Sequence, residues 1–179
     1  MNNEVTNKIL QIFHDHGQEN YIGEEITQLE HACQSAYFAQ KDGASKELVL
    51  ACLLHDIGHL LPETHMYLNG EDLGVKDHET VGANFLRKLG LPEAVCIPAE
   101  NHVKSKRYML SKDAKLHDQL SEASQKTFIL QGGKMTQQEM LEYETSQYFA
   151  ESIKLREYEN MAKVKNLKTL SFEHYLASN

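Results

Sequence analysis

Apolar positions recur along most of this 179-residue chain at the three- and four-residue spacing of amphipathic helices. Val5, Ile9, Leu10, Ile12 and Phe13 lay out a first helix that ends near Gly17. After the polar loop GQENYIGEE, the stretch from Ile26 to Lys41 carries Leu29, Cys33, Ala36 and Tyr37 at helical spacing and stops at Asp42–Gly43. Ser45 is placed to cap a third helix through LVLACLLHD, which is apolar enough to be buried nearly all round. Residues 61–76, with Pro62, Gly70 and Gly74, read as a long irregular loop, the kind of segment that is usually functional or mobile. Helix resumes from His78 to Leu89 and breaks at Gly90–Leu91–Pro92. Pro92 suits the first turn of the next helix, which takes Ala94, Val95 and Ile97 past Pro98 to His102. A polar stretch over 111–119 leads into SEASQKTFILQGG, whose Gly132–Gly133 pair marks a turn, and helices from about Thr136 and Ser152 complete the chain. With no repeat and no linker, the pattern predicts one all-α domain over residues 1–179.

Composition narrows the partners. The formal net charge is −8 and no Lys/Arg-rich tract occurs, which argues against nucleic acid, although dispersed lysines can still line a pocket for phosphate or phosphonate. Cys33, Cys52 and Cys96 are odd in number and show no CxxC spacing, so a reducing cytoplasm is expected rather than a disulfide framework. The stretch MNNEVTNKIL lacks the basic start and apolar run of a signal peptide, and no segment reaches the roughly 18–20 apolar residues of a membrane span. A membrane partner is not expected. The unusual feature is ten histidines in so short a chain.

His55 and Asp56 fall at the end of the buried helix. Neighbours on a helix point about 100° apart, so the pair is not expected to grip one ion from the same face. Instead the imidazole would bind one ion while the carboxylate bridges to a second. A lone His–Asp dipeptide is weak, and its bland reading is a core histidine beside a helix-end aspartate. His31 on an earlier helix, with His78 and His102 at later helical segments, changes the odds. So does Glu159, a late carboxylate. Buried imidazoles and carboxylates are costly to desolvate, and a metal explains why so many would converge.

The order His31, His55–Asp56, His78, His102 and a late carboxylate resembles the HD-domain superfamily. YIGEEITQLEH (21–31), LLHDIGHL (53–60), ENHVKSKRY (100–108), SEASQKT (121–127) and KLREYENMAK (154–163) resemble, more narrowly, its mixed-valent diiron oxygenases. Within these, the likeness is to the glycine-forming dioxygenases of 2-amino-1-hydroxyethylphosphonate, over roughly residues 18–165. The resemblance implies a helical bundle enclosing an Fe(II)/Fe(III) pair bridged by Asp56, with O2 as co-substrate and a carbon–phosphorus bond cleaved. His31, His55, His78 and His102 would be ligands, and Glu159 stands where the family has an aspartate. Lys106 and Arg156 would neutralise a phosphonate, Ser124 and Thr127 would donate hydroxyl hydrogen bonds, and His59, four residues after His55 and on its helical face, would support the ligands or touch the phosphonate. Tyr21 would occupy an iron site before substrate arrives and Glu24 would receive the substrate's ammonium, the two forming a lid. A trimethylammonium would need an aromatic cage instead, for which Tyr37, Tyr108 and Tyr158 are candidates.

Two other readings remain open on the sequence. An HD phosphohydrolase would use the same histidines to activate water on a small phosphate ester. A non-catalytic sensor would use a site degraded at Glu159.

Overall fold

The computed structural model describes residues 2–178. Among them are nine α-helices and one two-stranded sheet. Helix α1 spans Asn3–His16, α2 Gln28–Lys41 and α3 Lys46–Leu54; a 3₁₀ turn, Ile57–Leu60, and a hairpin of β1 (His65–Leu68) and β2 (Glu71–Val75) follow. Then come α4 (His78–Lys88), α5 (Glu93–Lys112), a 3₁₀ segment (Ala114–Gln119), α6 (Glu122–Leu130), α7 (Gln137–Glu144), α8 (Phe149–Met161) and α9 (Phe172–Ala177). No helix of the described residues is long and apolar enough to cross a membrane.

Helix α3 is the axis of the bundle. Ser45 caps it, its hydroxyl accepting from the Leu48 amide at 3.2 Å, and every residue from Leu48 to Leu54 is buried. It packs between α2 and α5, with α8 closing the remaining side and α9 covering one end. Burying each of its four leucines is worth about 1.5–3 kcal/mol. On α2, Thr27 forms a full capping box with Glu30, which fixes where His31 enters the core.

Three expectations need correction. Residues 61–76 are not an irregular loop: β1 and β2 pair antiparallel around Asn69–Gly70, both at positive φ (51° and 84°), the dipeptide that a two-residue hairpin turn favours. Helix α8 begins at Phe149 rather than Ser152, and α9 is a helix the periodicity did not reveal. The third concerns α3, which ends at Leu54. Asp56 then sits at φ −97°, ψ 9°, off the helix, so faces drawn from an ideal helix do not apply to His55, Asp56 or His59.

Helix α4 approaches the 3₁₀ turn through two glycines. A Cβ on Gly58 would overlap the carbonyl oxygen of His78 and lie 2.9 Å from the Gly82 amide nitrogen; one on Gly82 would lie 3.0 Å from the Gly58 nitrogen. This contact holds His78 against Asp56. Gly58→Ala is therefore expected to force α4 outward, lowering stability by about 1–3 kcal/mol and weakening metal retention. Thermal melts and metal content check this, and an unchanged melt would show that the contact is slack.

Candidate metal centre

His31 comes from α2, His55 and Asp56 from the end of α3, His78 from the first turn of α4 and His102 from the middle of α5. All five are buried. Their arrangement is paired. Asp56 Oδ2 lies 3.3 Å from His55 Nε2 and 3.6 Å from His31 Nε2, while Oδ1 lies 3.4 Å from both His78 Nε2 and His102 Nε2. Within each pair the Nε2 atoms face one another, at 3.3 Å for His31 and His55 and 3.0 Å for His78 and His102. The bridging role expected of Asp56 fits this geometry. The same-face argument drawn from an ideal helix does not apply to His55 and Asp56, because Asp56 has left the helix.

Hydrogen positions follow from the partners. His31 Nδ1 donates to the Ala162 carbonyl at 2.8 Å, His55 Nδ1 to that of Cys52 at 2.8 Å and His102 Nδ1 to that of Ala99 at 2.6 Å. A carbonyl only accepts, so each Nδ1 carries a proton, and a ring in its neutral form presents its Nε2 lone pair. Imidazole lone pairs and a carboxylate thus converge in a buried space, an arrangement that only positive charge stabilises. The pKa shifts divide the rings between one that holds a proton and two that stay neutral. Burial opposes charge on His55, but the Asp56 carboxylate outweighs it and raises the ring to about 9. Burial lowers His31 and His102 to about 4 each. Burial also favours the neutral acid at Asp56, yet His55 holds its carboxyl well below the usual range. The residues fit a pair of cations.

Glu159 on α8 is buried beside them. Its Oε1 accepts from Arg156 Nη1 and its Oε2 has no hydrogen-bond partner. Burial would raise this carboxyl, but Arg156 first and then His102 and His55 bring it down to about 2. A buried, ionised carboxylate with one unpartnered oxygen is a fitting further ligand.

His59 packs against His78. Its ring stacks on His78 at 3.8 Å, and its Nδ1 accepts from the Val75 amide at 3.1 Å. The neutral ring, favoured by burial, therefore bears its proton on Nε2 and is a donor rather than a ligand. Gly74 (φ 88°) makes this approach possible, since a Cβ there would lie 2.7 Å from His59 Nδ1.

These groups border a cavity of about 60 Å³. Tyr21, His59, Lys106, Ser124, Thr127 and Arg156 line it together with Asp56, His78, His102 and Glu159. Lys106 is buried and donates to Thr127 Oγ1 at 3.0 Å. Arg156 is buried with Nε and Nη2 unpartnered, two N–H donors of the kind that suit an oxyanion. Tyr21 stacks flat on His31 with 3.8 Å between ring centroids, and burial, followed by Asp56, raises its phenol well above the ordinary value. Gly23 (φ 77°) lets this loop meet Ala123 of α6, where a Cβ would come within 2.5 Å of the alanine methyl.

Glu24 is already engaged, accepting from Lys163 Nζ at 2.7 Å. Lys163 also lines the cavity and was not singled out from the sequence, although it closes the KLREYENMAK segment. Gln28 and Gln131 on the cavity wall had no sequence signal. Tyr37, Tyr108 and Tyr158 lie elsewhere, the last two donating to Glu144 and Asp42. They form no cage here.

Burial, then Arg156, lowers the Lys106 ammonium to about 7. Wild-type affinity for inorganic phosphate is expected to fall between pH 7 and 9 relative to Lys106→Arg, by up to about ten-fold per unit, because the guanidinium stays charged. Titration calorimetry across pH checks this; parallel profiles would remove Lys106 from anion binding.

Comparison with known proteins places the fold. Residues 28–139 match the HD domain. The chain is 40% identical over 96% of its length to the hydroxymethylphosphonate dioxygenase of Gimesia maris, covering 85% of that protein. It is 33% identical over 92% of its length to the [1-hydroxy-2-(trimethylamino)ethyl]phosphonate dioxygenase (glycine-betaine-forming) of Leisingera caerulea, covering 83%. An uncharacterized protein of Acanthamoeba polyphaga mimivirus is 36% identical over 93% of the chain and is covered to 77%. The buried carboxylate, the imidazole pairs around it and these relatives agree: the chain belongs to the HD-domain family, in the branch that contains phosphonate dioxygenases.

Proposed function

We propose that the chain is a diiron oxygenase that uses O2 to cleave the carbon–phosphorus bond of a 1-hydroxyphosphonate. The observation that carries this reading is a carboxylate with an imidazole pair at each oxygen, set beside a cavity whose wall holds buried Lys106 and a buried Arg156 with free N–H groups. Relatives named as phosphonate dioxygenases support it. The reaction balances with one O2: C1 goes from an alcohol to a carboxylate, phosphorus leaves as phosphate, and both oxygen atoms end in the products.

His31, His55, Asp56, His78, His102 and Glu159 would hold two irons, which supply the redox capacity toward O2 and the Lewis acidity that fixes the substrate's C1 hydroxyl. The rest is positioning. Lys106 and Arg156 neutralise the phosphonate, and the free Nε and Nη2 of Arg156 match two of its oxygens. Ser124 and Thr127 present hydroxyls from one face of α6. His59 Nε2–H adds a donor, held in place by the Val75 amide. Tyr21, stacked on His31 and kept protonated by burial, shields the centre from water until substrate displaces it. Taken alone, the Tyr21–Glu24 motif would suit 2-amino-1-hydroxyethylphosphonate, going to glycine and phosphate; the Lys163 ion pair on Glu24 decides which member of the class fits.

The test is anaerobic iron loading followed by O2, with phosphate release and oxygen uptake measured on a panel of 1-hydroxyphosphonates. Release that needs iron and consumes one O2 per phosphate supports the proposal. Hydrolysis of phosphate esters with magnesium or manganese and without oxygen uptake would replace it with the phosphohydrolase reading, and stoichiometric metal with no turnover would favour a sensor.

A further inference from the structure

We propose that Lys163 is a built-in counter-ion that fills the place of a substrate ammonium, so that the chain selects 1-hydroxyphosphonates without a cationic substituent. This rests on the oxygenase reading above and narrows its substrate class.

Lys163 Nζ has three N–H donors and three acceptors within reach: Glu24 Oε1 at 2.7 Å, Ser121 Oγ at 3.3 Å and Ser124 Oγ at 3.4 Å. The Glu24 and Lys163 side chains are 16% and 18% exposed, so the pair is well removed from solvent. Lys163 lines the cavity among its cations and carboxylates, and Glu24 is joined to it through the ion pair. Lys106, Arg156 and Lys163 are balanced there by Asp56, Glu159 and Glu24. Without a substrate cation, the phosphonate dianion and the metals complete the set. An ammonium on C2 would be a further positive charge with no free carboxylate to meet it.

The aromatic route is closed as well. Tyr21 is the one ring other than imidazole lining the cavity among the described residues. One of its faces lies on His31 at 3.8 Å, and Lys163 Nζ stands 5.8 Å from its centroid, the distance of a cation–π contact. Lys163 thus takes both the carboxylate and the ring that a primary or quaternary ammonium would use. The lysine is also anchored by the chain on either side. Ala162 O accepts from ligand His31, and the Val164 amide donates to Gln34 Oε1 at 2.9 Å. Expelling its ammonium therefore breaks a shielded ion pair without freeing the backbone, and a small uncharged group at C1 avoids that.

The experiment compares hydroxymethylphosphonate and 1-hydroxyethylphosphonate with 2-amino-1-hydroxyethylphosphonate. It measures kcat/KM on iron-loaded protein and, separately, anaerobic binding by calorimetry. The wild type is expected to favour the uncharged pair by roughly ten-fold or more, the factor that about 1.4 kcal/mol of discrimination gives. Lys163→Met, which exposes Glu24, should move the ratio toward the amine by a similar factor, while Lys163→Arg should keep the wild-type order. A wild type that takes the amine as well or better overturns the inference and leaves the oxygenase reading intact. So does a Lys163→Met ratio equal to that of the wild type. Should Lys163→Met fail to fold, the wild-type comparison decides alone. Iron-loaded protein that releases phosphate from none of the three overturns the reading beneath it.

Discussion

Asp56→Asn is expected to leave the chain folded, unable to hold two metal ions and inactive. Each oxygen of Asp56 serves a different imidazole pair, at 3.3 and 3.6 Å on one side and 3.4 Å twice on the other. An amide of the same shape removes the negative charge and turns one of these acceptors into a donor aimed at Nε2 lone pairs. Loss of a partner outside the ligand set already costs roughly 10–100-fold in metal affinity or activity, and loss of the bridge should exceed that. Elemental analysis should find two ions per chain in the wild type and at most one in the variant, with turnover at background. Far-UV circular dichroism should be unchanged, because α3 is held by Leu48–Leu54 and the Ser45 cap rather than by the metals. Two ions retained by the variant would mean that Asp56 does not bridge.

The sequence made the helices legible where local signals agreed. Ser45 and the all-apolar run after it mark α3, and Gly17 and Gly90 mark ends that the structure keeps. The hairpin was hidden for the opposite reason. Only Leu73, Gly74 and Val75 of its strands are buried, and they are consecutive, so no apolar alternation runs through HMYL or EDLGV, and Pro62, Gly70 and Gly74 read only as breakers. Asn69–Gly70 was the signal that could have found it. At the site, the convergence of the four histidines on Asp56 was readable, but faces inferred from helical spacing failed once α3 stopped at Leu54. What no spacing reveals are contacts made across the chain. The carbonyl that fixes the His31 tautomer is 131 residues away at Ala162, and the lysine on Glu24 is 139 residues away. Both come from the few residues after α8, brought to the centre only when α8 packs against α2.

Arg156→Met carries the second large effect, and its reasons are separable. The guanidinium holds Glu159 through Nη1 and leaves Nε and Nη2 buried without partners. Unmade hydrogen bonds of this kind cost roughly 1–3 kcal/mol each, a destabilisation that a bound phosphonate relieves. Phosphate or phosphonate should therefore raise the melting temperature of the wild type and not that of Arg156→Met. The variant also strands Glu159. Its carboxyl, held near 2 against burial chiefly by Arg156, contributes stability that is present above its unfolded pKa of about 4.5 and is lost as pH falls through 2. Removing the arginine takes that contribution away at neutral pH, where an uncompensated buried carboxylate remains. Truncating one partner of a buried charge pair costs about 2–5 kcal/mol, so kcat/KM should drop by roughly 30-fold to several thousand-fold. Arg156→Lys keeps the charge on Glu159 but not the fork, and should recover stability ahead of phosphonate affinity. The double variant Arg156→Met with Glu159→Gln separates the two roles. If Arg156 acts only by neutralising Glu159, the double variant regains anion binding; if it grips the anion, stability returns and phosphate still fails to raise the melting temperature. The free Nε and Nη2 atoms predict the second outcome.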